Sequence, residues 1–234
     1  MKHFVFKKKG DRRLFGGKNE VSPAVIKRLP RYHRYLGELL RNERLRISSS
    51  ELSELMGVTA SQIRQDLNCF GGFGQQGYGY NVRYLYDKIS DLLGVNAGFN
   101  AIIIGAGNLG RALVSSHMFE RRGVRRLALF DIDDSVVGKT VSGIPVLHMD
   151  ELEAFAHTEK VHIAVLTTPK EAAAEVMNKV IALNIPGIWN FSNTELKSPS
   201  EQTVVENIHL GDSLMTLCYT LSERLTDPTE ERSS

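Results

Sequence analysis

The chain has 234 residues, 42% of them hydrophobic, which is enough for one large or two small domains that fold without disulfide staples. No apolar run approaches the roughly 20 residues a membrane helix needs, and the basic N-terminus is not followed by a signal-peptide core, so a cytoplasmic protein with no membrane partner is expected. The net charge of +2 conceals an asymmetry, because residues 1–90 carry 17 Lys+Arg against 8 Asp+Glu, net +9, while residues 91–234 carry 12 against 19, net −7. A basic segment joined to an acidic one points to a polyanion-binding module attached to something else. Cys69 and Cys218 stand 149 positions apart and in no metal-ligand spacing, so two packed thiols in a reducing compartment, and no metal, are expected.

Residues 1–21 carry Lys7, Lys8, Lys9, Arg12 and Arg13 among glycines with little apolar periodicity, and read as a basic arm. From Ser22-Pro23 a helical spacing begins, through Val25, Ile26, Leu29, Tyr32, Leu36, Leu39 and Leu40. Pro30 lies inside it and is expected to break or kink it into two pieces. Ser50 to Met56 predicts a short helix opened by a serine cap and stopped by Gly57. Thr59-Ala60-Ser61-Gln62 matches a capping box opening a helix from Ile63 to Phe70. Helix, glycine turn and helix make a helix-turn-helix.

On the second of these helices Ile63, Leu67 and Phe70 can face a core, leaving Ser61, Gln62, Arg64, Gln65 and Asn68 outside. Arg, Gln and Asn make bidentate contacts to base edges, and their place near a helix N-terminus suits docking in the major groove of double-stranded DNA. Gly71 to Tyr80 holds five glycines in ten residues and reads as a β-hairpin wing beside that helix, bringing Gln75 and Gln76 near the sugar-phosphate backbone. Asn81 to Leu93 regains helical spacing through Val82, Leu85, Ile89 and Leu92, and Gly94 to Gly98 is the natural linker.

Asn100 to Ile104 predicts a buried parallel strand, short, β-branched and continuously apolar. Gly105-Ala106-Gly107-Asn108-Leu109-Gly110 follows at once. In a dinucleotide-binding unit the first glycine permits the tight turn, the second admits a pyrophosphate to the backbone and the third lets helix pack closely on strand. A helix over Arg111 to Glu120 would aim its N-terminus at the phosphates. A second strand from Arg126 to Phe130 ends in Asp131, with Ile132 beside it. Asp131 lies 21 positions past Gly110, where an acid accepts hydrogen bonds from an adenosine ribose. With Asp133 and Asp134 it disfavours a 2′-phosphate, so the expected cofactor is NAD, as NADH and NAD+.

Gly143 to Leu147 fits a third strand, with a helix after Asp150. Val161 to Leu166 is a fourth, ending in Thr167-Thr168-Pro169 ahead of an alanine-rich helix through Leu183. Gly187 to Trp189 is a fifth, ending in Asn190-Phe191. Ligands bind at strand ends in a doubly wound sheet, so Thr168, Pro169, Asn190 and Phe191 are candidates for the nicotinamide side. Val204 to Leu210 adds a last strand. Leu214, Leu217, Cys218, Leu221 and Leu225 form an apolar stripe on a terminal helix that needs a partner surface, in the core or on a second copy.

A family resemblance runs through both halves. It is carried by Ala24 to Pro30, Gly57 to Ala60, Ile63-Arg64, Asp66-Leu67, Gly71, Phe73-Gly74, Gly77 to Val82, Gly105 to Gly110, Phe130-Asp131, Leu166-Thr167, Pro169 and Asn190-Phe191. On these residues, spread from Ser22 to Leu225, the chain resembles the Rex-family redox-sensing transcriptional repressors. The resemblance implies a homodimer, winged helices on a palindromic operator, a terminal helix exchanged between subunits, and release of DNA by NADH. The expected architecture is an α/β Rossmann domain, a doubly wound parallel sheet over residues 94–212. An α+β winged-helix domain (22–93) precedes it and a C-terminal swapped helix and tail (213–234) follow.

The resemblance also marks departures. Members usually carry a basic residue at Gln65 and at one or both of Gln75 and Gln76. A tyrosine of the first Rossmann helix is Ser116 here, and an aspartate that pairs with an arginine, Arg34 here, in the family's redox switch is His209. Operator sequence and the strength or direction of the NADH response stay open. Two other readings also remain. An NAD-dependent dehydrogenase with a helical appendage would need an acid/base such as Lys170 or His209. The other is a dimeric NAD-binding module whose winged helix serves protein contacts alone.

Overall fold

The computed structural model describes residues 22–68, 74–75, 79–199 and 201–226, with the backbone alone for Gly74, Gln75 and Thr226. The basic arm, Cys69, Phe70 and Gln76 lie outside these residues. The chain divides into two compact units, the first ending at Ala97 and the second beginning at Gly98. No described helix is long and apolar enough to cross a membrane.

In the first unit, α1 (Pro23–Arg41) opens with Ser22 as its cap and Pro23 in its first turn, where a missing N–H costs nothing. It continues through Pro30 as a single helix, against the expected break. Val25, Leu29, Tyr32 and Leu36 form an unbroken buried stripe across the proline, while Ile26 and Pro30 lie on the exposed side. Packing of that stripe outweighs one lost backbone hydrogen bond.

Helix α2 (Ser49–Met56) is capped by Ser48, two residues earlier than expected. The Ser48 hydroxyl accepts from the Glu51 amide at 3.1 Å and the Glu51 carboxylate accepts from the Ser48 amide at 2.8 Å, a reciprocal capping box. These bonds, with one from Arg44, hold the Glu51 carboxyl down at about 2. Gly57 ends the helix in the left-handed region at φ 60°. Helix α3 (Ala60–Asn68) starts with the Thr59 hydroxyl accepting from the Gln62 amide at 3.1 Å. The Gln62 side chain does not return to Thr59 but turns to Asp66, so half of the expected capping box forms.

A small antiparallel sheet closes the unit, made of β1 (Arg46–Ile47), β2 (Gly74–Gln75) and β3 (Gly79–Asn81) in the order β1-β3-β2. The wing strands β2 and β3 pair as expected, whereas β1 was not foreseen, two residues being too few to show a period. A Cβ on Gly79, at φ 67°, would stand 2.7 Å from the Ile47 carbonyl oxygen, so glycine is required where β3 meets β1. Helix α4 (Val82–Leu92) packs Val82, Leu85 and Ile89 into the same core.

The second unit is a seven-stranded sheet in the order β10-β9-β8-β4-β5-β7-β6. Its central strand, β4 (Phe99–Ile104), lies parallel to β5 (Val124–Asp131) and to β8 (Ile163–Leu166). Alternate residues of β4 feed two cores. Ile102 and Ile104 join Phe130, Leu166, Val176 and Val180 on one face, and Ala101 and Ile103 join Val114, Leu129 and Val165 on the other. A strand buried on both faces reads as a continuous apolar run, which is why it was legible.

Helix α5 (Asn108–Ser115) begins three residues earlier than expected and stops at Ser116, before a 3-10 turn at Glu120–Arg122. Beyond β5 come β6 (Thr140–Val141), an unforeseen antiparallel edge, and β7 (Ile144–His148), then α6 (Leu152–Thr158). Helix α7 (Lys170–Ala182), β9 (Gly187–Asn190) and β10 (Val204–Asn207) follow. Strand β10 stops short of Leu210, where α8 (Leu210–Thr226) begins instead.

His162 ties the start of β4 to the chain entering β8, its Nδ1 accepting from the Asn100 amide at 2.9 Å. An imidazolium carries hydrogen on both nitrogens and cannot accept that bond. Burial, with the nearby Lys160 charge, pushes His162 below its ordinary 6.5. Below about pH 6.5 the unfolded chain therefore binds a proton that the folded chain resists, so this stabilisation is full above 6.5 and declines as pH falls through it. Urea midpoints measured from pH 7.5 to 5 should fall, and His162→Gln, whose carbonyl still accepts from Asn100, should reduce the decline. Identical pH slopes in the two proteins would contradict this account.

Candidate nucleotide cleft and nucleic-acid face

The strand order reverses beside β4, where β5 lies on one side and β8 on the other, and the C-terminal ends of β4, β5 and β8 open into a cleft of about 740 Å³. That volume is in the range of small-molecule sites. Of the residues expected to hold the cofactor, Gly105, Gly107, Asp131, Ile132, Thr168, Pro169 and Phe191 line the cleft together. Its wall also includes Ile104, Phe130, Met149, Thr167, Ser192 and Asn193 and several residues of α7, Lys170 and Lys179 among them.

The fold requires two of the three glycines, for different reasons. Gly105, at φ 106°, turns the chain against Thr167, whose carbonyl oxygen would meet an added Cβ at 2.9 Å. Gly110 is buried at the first turn of α5, where a Cβ would stand 1.9 Å from the Gly105 carbonyl oxygen. An added Cβ at Gly107 meets nothing within 4 Å. The fold itself does not require glycine there, and the vacant volume is where a pyrophosphate would approach. No side chain among the described residues caps α5 at Gly107, which leaves its first-turn amides able to receive an anion.

Asp131 is tied to backbone. Its Oδ1 accepts from the amides of Ile132 and Asp133 at 2.8 and 3.0 Å, and its Oδ2 accepts from the Ala106 amide. Ala106, expected to contact the cofactor, is thus buried and spends its N–H on the carboxylate. With two acceptor positions per oxygen, one remains, on Oδ2. Thr168 contributes a buried hydroxyl oxygen that has no hydrogen-bond partner among the described residues, in the wall of the cleft. Such an orphan is the mark of a position completed by ligand or water. Vacant volume at Gly107, uncapped amides, an acceptor left on Asp131 and the orphaned Thr168 hydroxyl all fit a dinucleotide.

Asn190 corrects the expectation for it. It is 1% exposed and does not line the cleft. Its amide donates to the Thr194 carbonyl and to Asn207 Oδ1, and its Oδ1 accepts from the Ser192 amide and hydroxyl. It positions the loop that carries Phe191 and Ser192. Asn108 and Leu109 open α5 without lining the cleft, Asn108 Oδ1 accepting from Arg111 at 3.0 Å. Ser116 uses its hydroxyl to receive the Met118 amide at the end of α5. His209 lies outside the cleft and pairs through Nε2 with Glu195 Oε2 at 3.0 Å, while the Arg34 guanidinium lies over the Tyr35 ring.

In the first unit, α3 buries Ile63, Asp66 and Leu67 and exposes Ser61, Arg64, Gln65 and Asn68. Arg64 Nη1 donates to the Ser49 hydroxyl at 3.0 Å, which ties the side chain to the first residue of α2. The backbone of Gln75 lies in the wing strand β2.

The residue that sequence reasoning passed over is Asp66, which is 0% exposed. Arg28 of α1 grips it with Nε on Oδ2 and Nη2 on Oδ1, both at 2.7 Å, and the Tyr32 hydroxyl donates to Oδ2 at 3.0 Å. Gln62 Nε2 donates to Oδ1 at 2.8 Å. Burial alone would raise this carboxyl, but the bonds from Arg28, Gln62 and Tyr32 outweigh it and hold Asp66 below its ordinary value. An acid three residues past Ile63 and beside Leu67, on the buried side of an amphipathic helix, was the signal available.

The "CoA binding domain" family matches residues 96–194, and the family "Putative DNA-binding protein N-terminus" matches residues 20–68. A protein of Caldicellulosiruptor saccharolyticus called redox-sensing transcriptional repressor Rex is 50% identical over 213 residues, 91% of this chain and 97% of the relative. The protein of that name from Clostridioides difficile is 49% identical, covering 90% of this chain and 99% of its own. Among solved structures, that of RSP in complex with β-NAD+ and operator DNA is 50% identical with a TM-score of 0.82, covering 88% of this chain and 95% of that one. RSP in complex with β-NADH gives 47% and 0.81, with 88% and 97% covered.

Two glycine substitutions separate the fold from the ligand. Gly110→Ala should cost at least about 1–3 kcal/mol of stability, because its Cβ meets backbone rather than a flexible side chain. Gly107→Ala should melt close to the parent protein yet bind a dinucleotide about tenfold more weakly, equivalent to about 1.4 kcal/mol. Thermal melting and fluorescence titration with NADH check both. Undiminished affinity in Gly107→Ala would remove the assignment of that vacant volume.

Proposed function

Since this chain belongs to the Rex family of redox-sensing transcriptional repressors, we propose that it holds operator DNA through α3 and the β2–β3 wing, and lets it go when NADH fills the cleft. The relatives carry the name of repressors rather than of enzymes. The observation that carries the reading is a cleft at the strand ends lined by Gly107, Asp131 and Thr168, in a chain that also exposes Arg64 and Asn68 on a helix-turn-helix.

Each residue has a stated part. Gly107 and the first-turn amides of α5 receive the pyrophosphate, and Asp131 Oδ2 accepts from a ribose hydroxyl. A 2′-phosphate would meet that carboxylate, which selects NAD(H) over NADP(H). Thr168, Pro169 and Phe191 form the end of the cleft that senses the nicotinamide, the group that supplies the redox signal by losing its positive charge and planarity on reduction. On DNA, Arg64 supplies the charged contact of α3, with Ser61, Gln65 and Asn68 beside it and Gln75 and Gln76 of the wing toward the sugar-phosphate backbone.

We also propose a homodimer on a palindromic operator. What supports it is α8, whose described side chains are all exposed, Leu210, Leu214, Met215, Leu217, Tyr219, Leu221 and Leu225 among them. An apolar helix left entirely in water is costly, and a second copy offers the matching surface.

An operator gel shift titrated with NADH and with NAD+ tests the whole reading. NADH should weaken operator binding, and operator should weaken NADH binding by the same factor, since coupling between two sites is reciprocal. Equal operator affinity with saturating NADH, with saturating NAD+ and with neither would leave a DNA-binding protein that senses nothing. Arg64→Ala should cost about 1–3 kcal/mol of operator binding if Arg64 reads a base, with specificity relaxed at one position. A uniform loss on all sequences would assign it to phosphate instead.

A further inference from the structure

We propose that Gln62 reads a hydrogen-bond donor on a base edge, the amino group of adenine or cytosine, and that the buried Asp66, gripped by Arg28, sets this polarity. The inference rests on α3 being the helix that reads DNA.

The argument begins with the carboxylate. Asp66 is fully buried and has about four acceptor positions on its two oxygens. Arg28 takes two, the Tyr32 hydroxyl a third and Gln62 Nε2 the fourth, at 2.7, 2.7, 3.0 and 2.8 Å. A carboxylate only accepts, so the end of the Gln62 carboxamide that faces it must be the NH2. Turning that group over would set its oxygen against a buried anion and leave one acceptor position unfilled.

With Nε2 held inward, Oε1 is the outward end of the carboxamide. Among the described residues Oε1 has no hydrogen-bond partner, and it is not one of the buried unsatisfied atoms, so it is open to solvent. Gln62 sits in the first turn of α3, the part of a recognition helix that meets base edges. A glutamine free to rotate could offer either end to a base. This one offers an acceptor and at most the one N–H left on Nε2.

In the major groove adenine presents an N6 amino donor and cytosine an N4 amino donor, whereas guanine presents two acceptors and thymine one acceptor and a methyl. Through Oε1 Gln62 is therefore matched to adenine or cytosine, while guanine, which would set O6 against Oε1, could meet only the one N–H left on Nε2. Arg28 and Asp66 do not touch DNA in this account. They are positioning residues, and they act through the orientation of Gln62.

The test starts from an operator selected by the full-length protein from a random duplex pool. At each half-site position in turn, adenine is replaced by purine or cytosine by pyrimidin-2-one, which deletes the amino group, and binding is measured for the parent protein and for Gln62→Ala. At one position the deletion should weaken the parent about 3- to 10-fold, the worth of one hydrogen bond, and leave Gln62→Ala unaffected. Asp66→Asn, which can turn an NH2 toward Gln62, should admit guanine at that same position. Arg28→Lys, which keeps the charge but loses the fork, should relax selection there to a lesser degree.

A merely structural role for the pair would lower affinity for all duplexes alike and leave the base preference intact. That outcome, or coupling of Gln62 to a guanine acceptor, or to no base, overturns the inference, and the Gln62→Ala arm decides it even if an Asp66 variant fails to fold. Failure of the parent protein to enrich any duplex would overturn the DNA-binding reading, and this inference with it.

Discussion

The second unit depends on one close approach. Helix α5 comes so near the end of β4 that a Cβ on Gly110 would stand 1.9 Å from the Gly105 carbonyl oxygen. The Thr167 hydroxyl, reaching from the end of β8, donates to that same carbonyl at 2.8 Å and lies near the Ile104 carbonyl at 3.1 Å. The contact thus draws together the ends of two parallel strands and the start of a helix at the point where strand order reverses. Loosen it, and Gly107, the free amides of α5 and Thr168 no longer face a common volume. The pocket is a consequence of helix and strand packing, and its vacancy at Gly107 is the side of that packing that the fold leaves unused.

In the first unit the corresponding constraint is ionic. The Arg28–Asp66 pair, whose carboxylate is buried while the guanidinium stays one-third exposed, adds little net stability, since desolvating the carboxylate offsets much of the attraction. Its effect is directional. The fork of Arg28 fixes the carboxylate, the carboxylate fixes Gln62, and Tyr32 fills the remaining position, so α1 and α3 meet in one orientation. The Tyr32 phenol, pushed above its ordinary range by burial and by Asp66, stays a donor at any physiological pH.

Much of this was legible because the signals were local. Ile102 to Ile104 read as a strand from apolarity alone, and the glycine spacing after it gave the turn and the helix. Asp131 was found from its distance past Gly110. Its partners were not, because they are backbone amides of Ala106, Ile132 and Asp133, which carry no side-chain signature. Asn190 was misjudged because a polar residue at a strand end reads the same whether it faces a ligand or a loop. Pro30 was misjudged because helix propensity is local and the stripe from Val25 to Leu36 is tertiary. Arg28 and Asp66 lie 38 positions apart, and nothing in either neighbourhood announces the other.

The two halves of the cleft cannot contribute alike to redox sensing. A ligand shifts an equilibrium only by its differential affinity for the two states. The adenosine and pyrophosphate portion is common to NADH and NAD+, so whatever Gly107, the α5 amides and Asp131 contribute raises affinity for both equally and discriminates nothing. Tight binding at that end is still useful, since it keeps the cleft filled and makes occupancy a question of which form is present. On the proposed assignment, discrimination then falls to the end walled by Thr168, Pro169 and Phe191, where Lys170, Ser192 and Asn193 also line the cleft. The Thr168 hydroxyl is buried without a partner among the described residues, so a contact formed in one redox state and not in the other replaces an unmet bond rather than an existing one. If Thr168 holds the proposed place beside the nicotinamide, the cost of leaving its hydroxyl unmet, about 1–3 kcal/mol, is of the size an allosteric coupling requires.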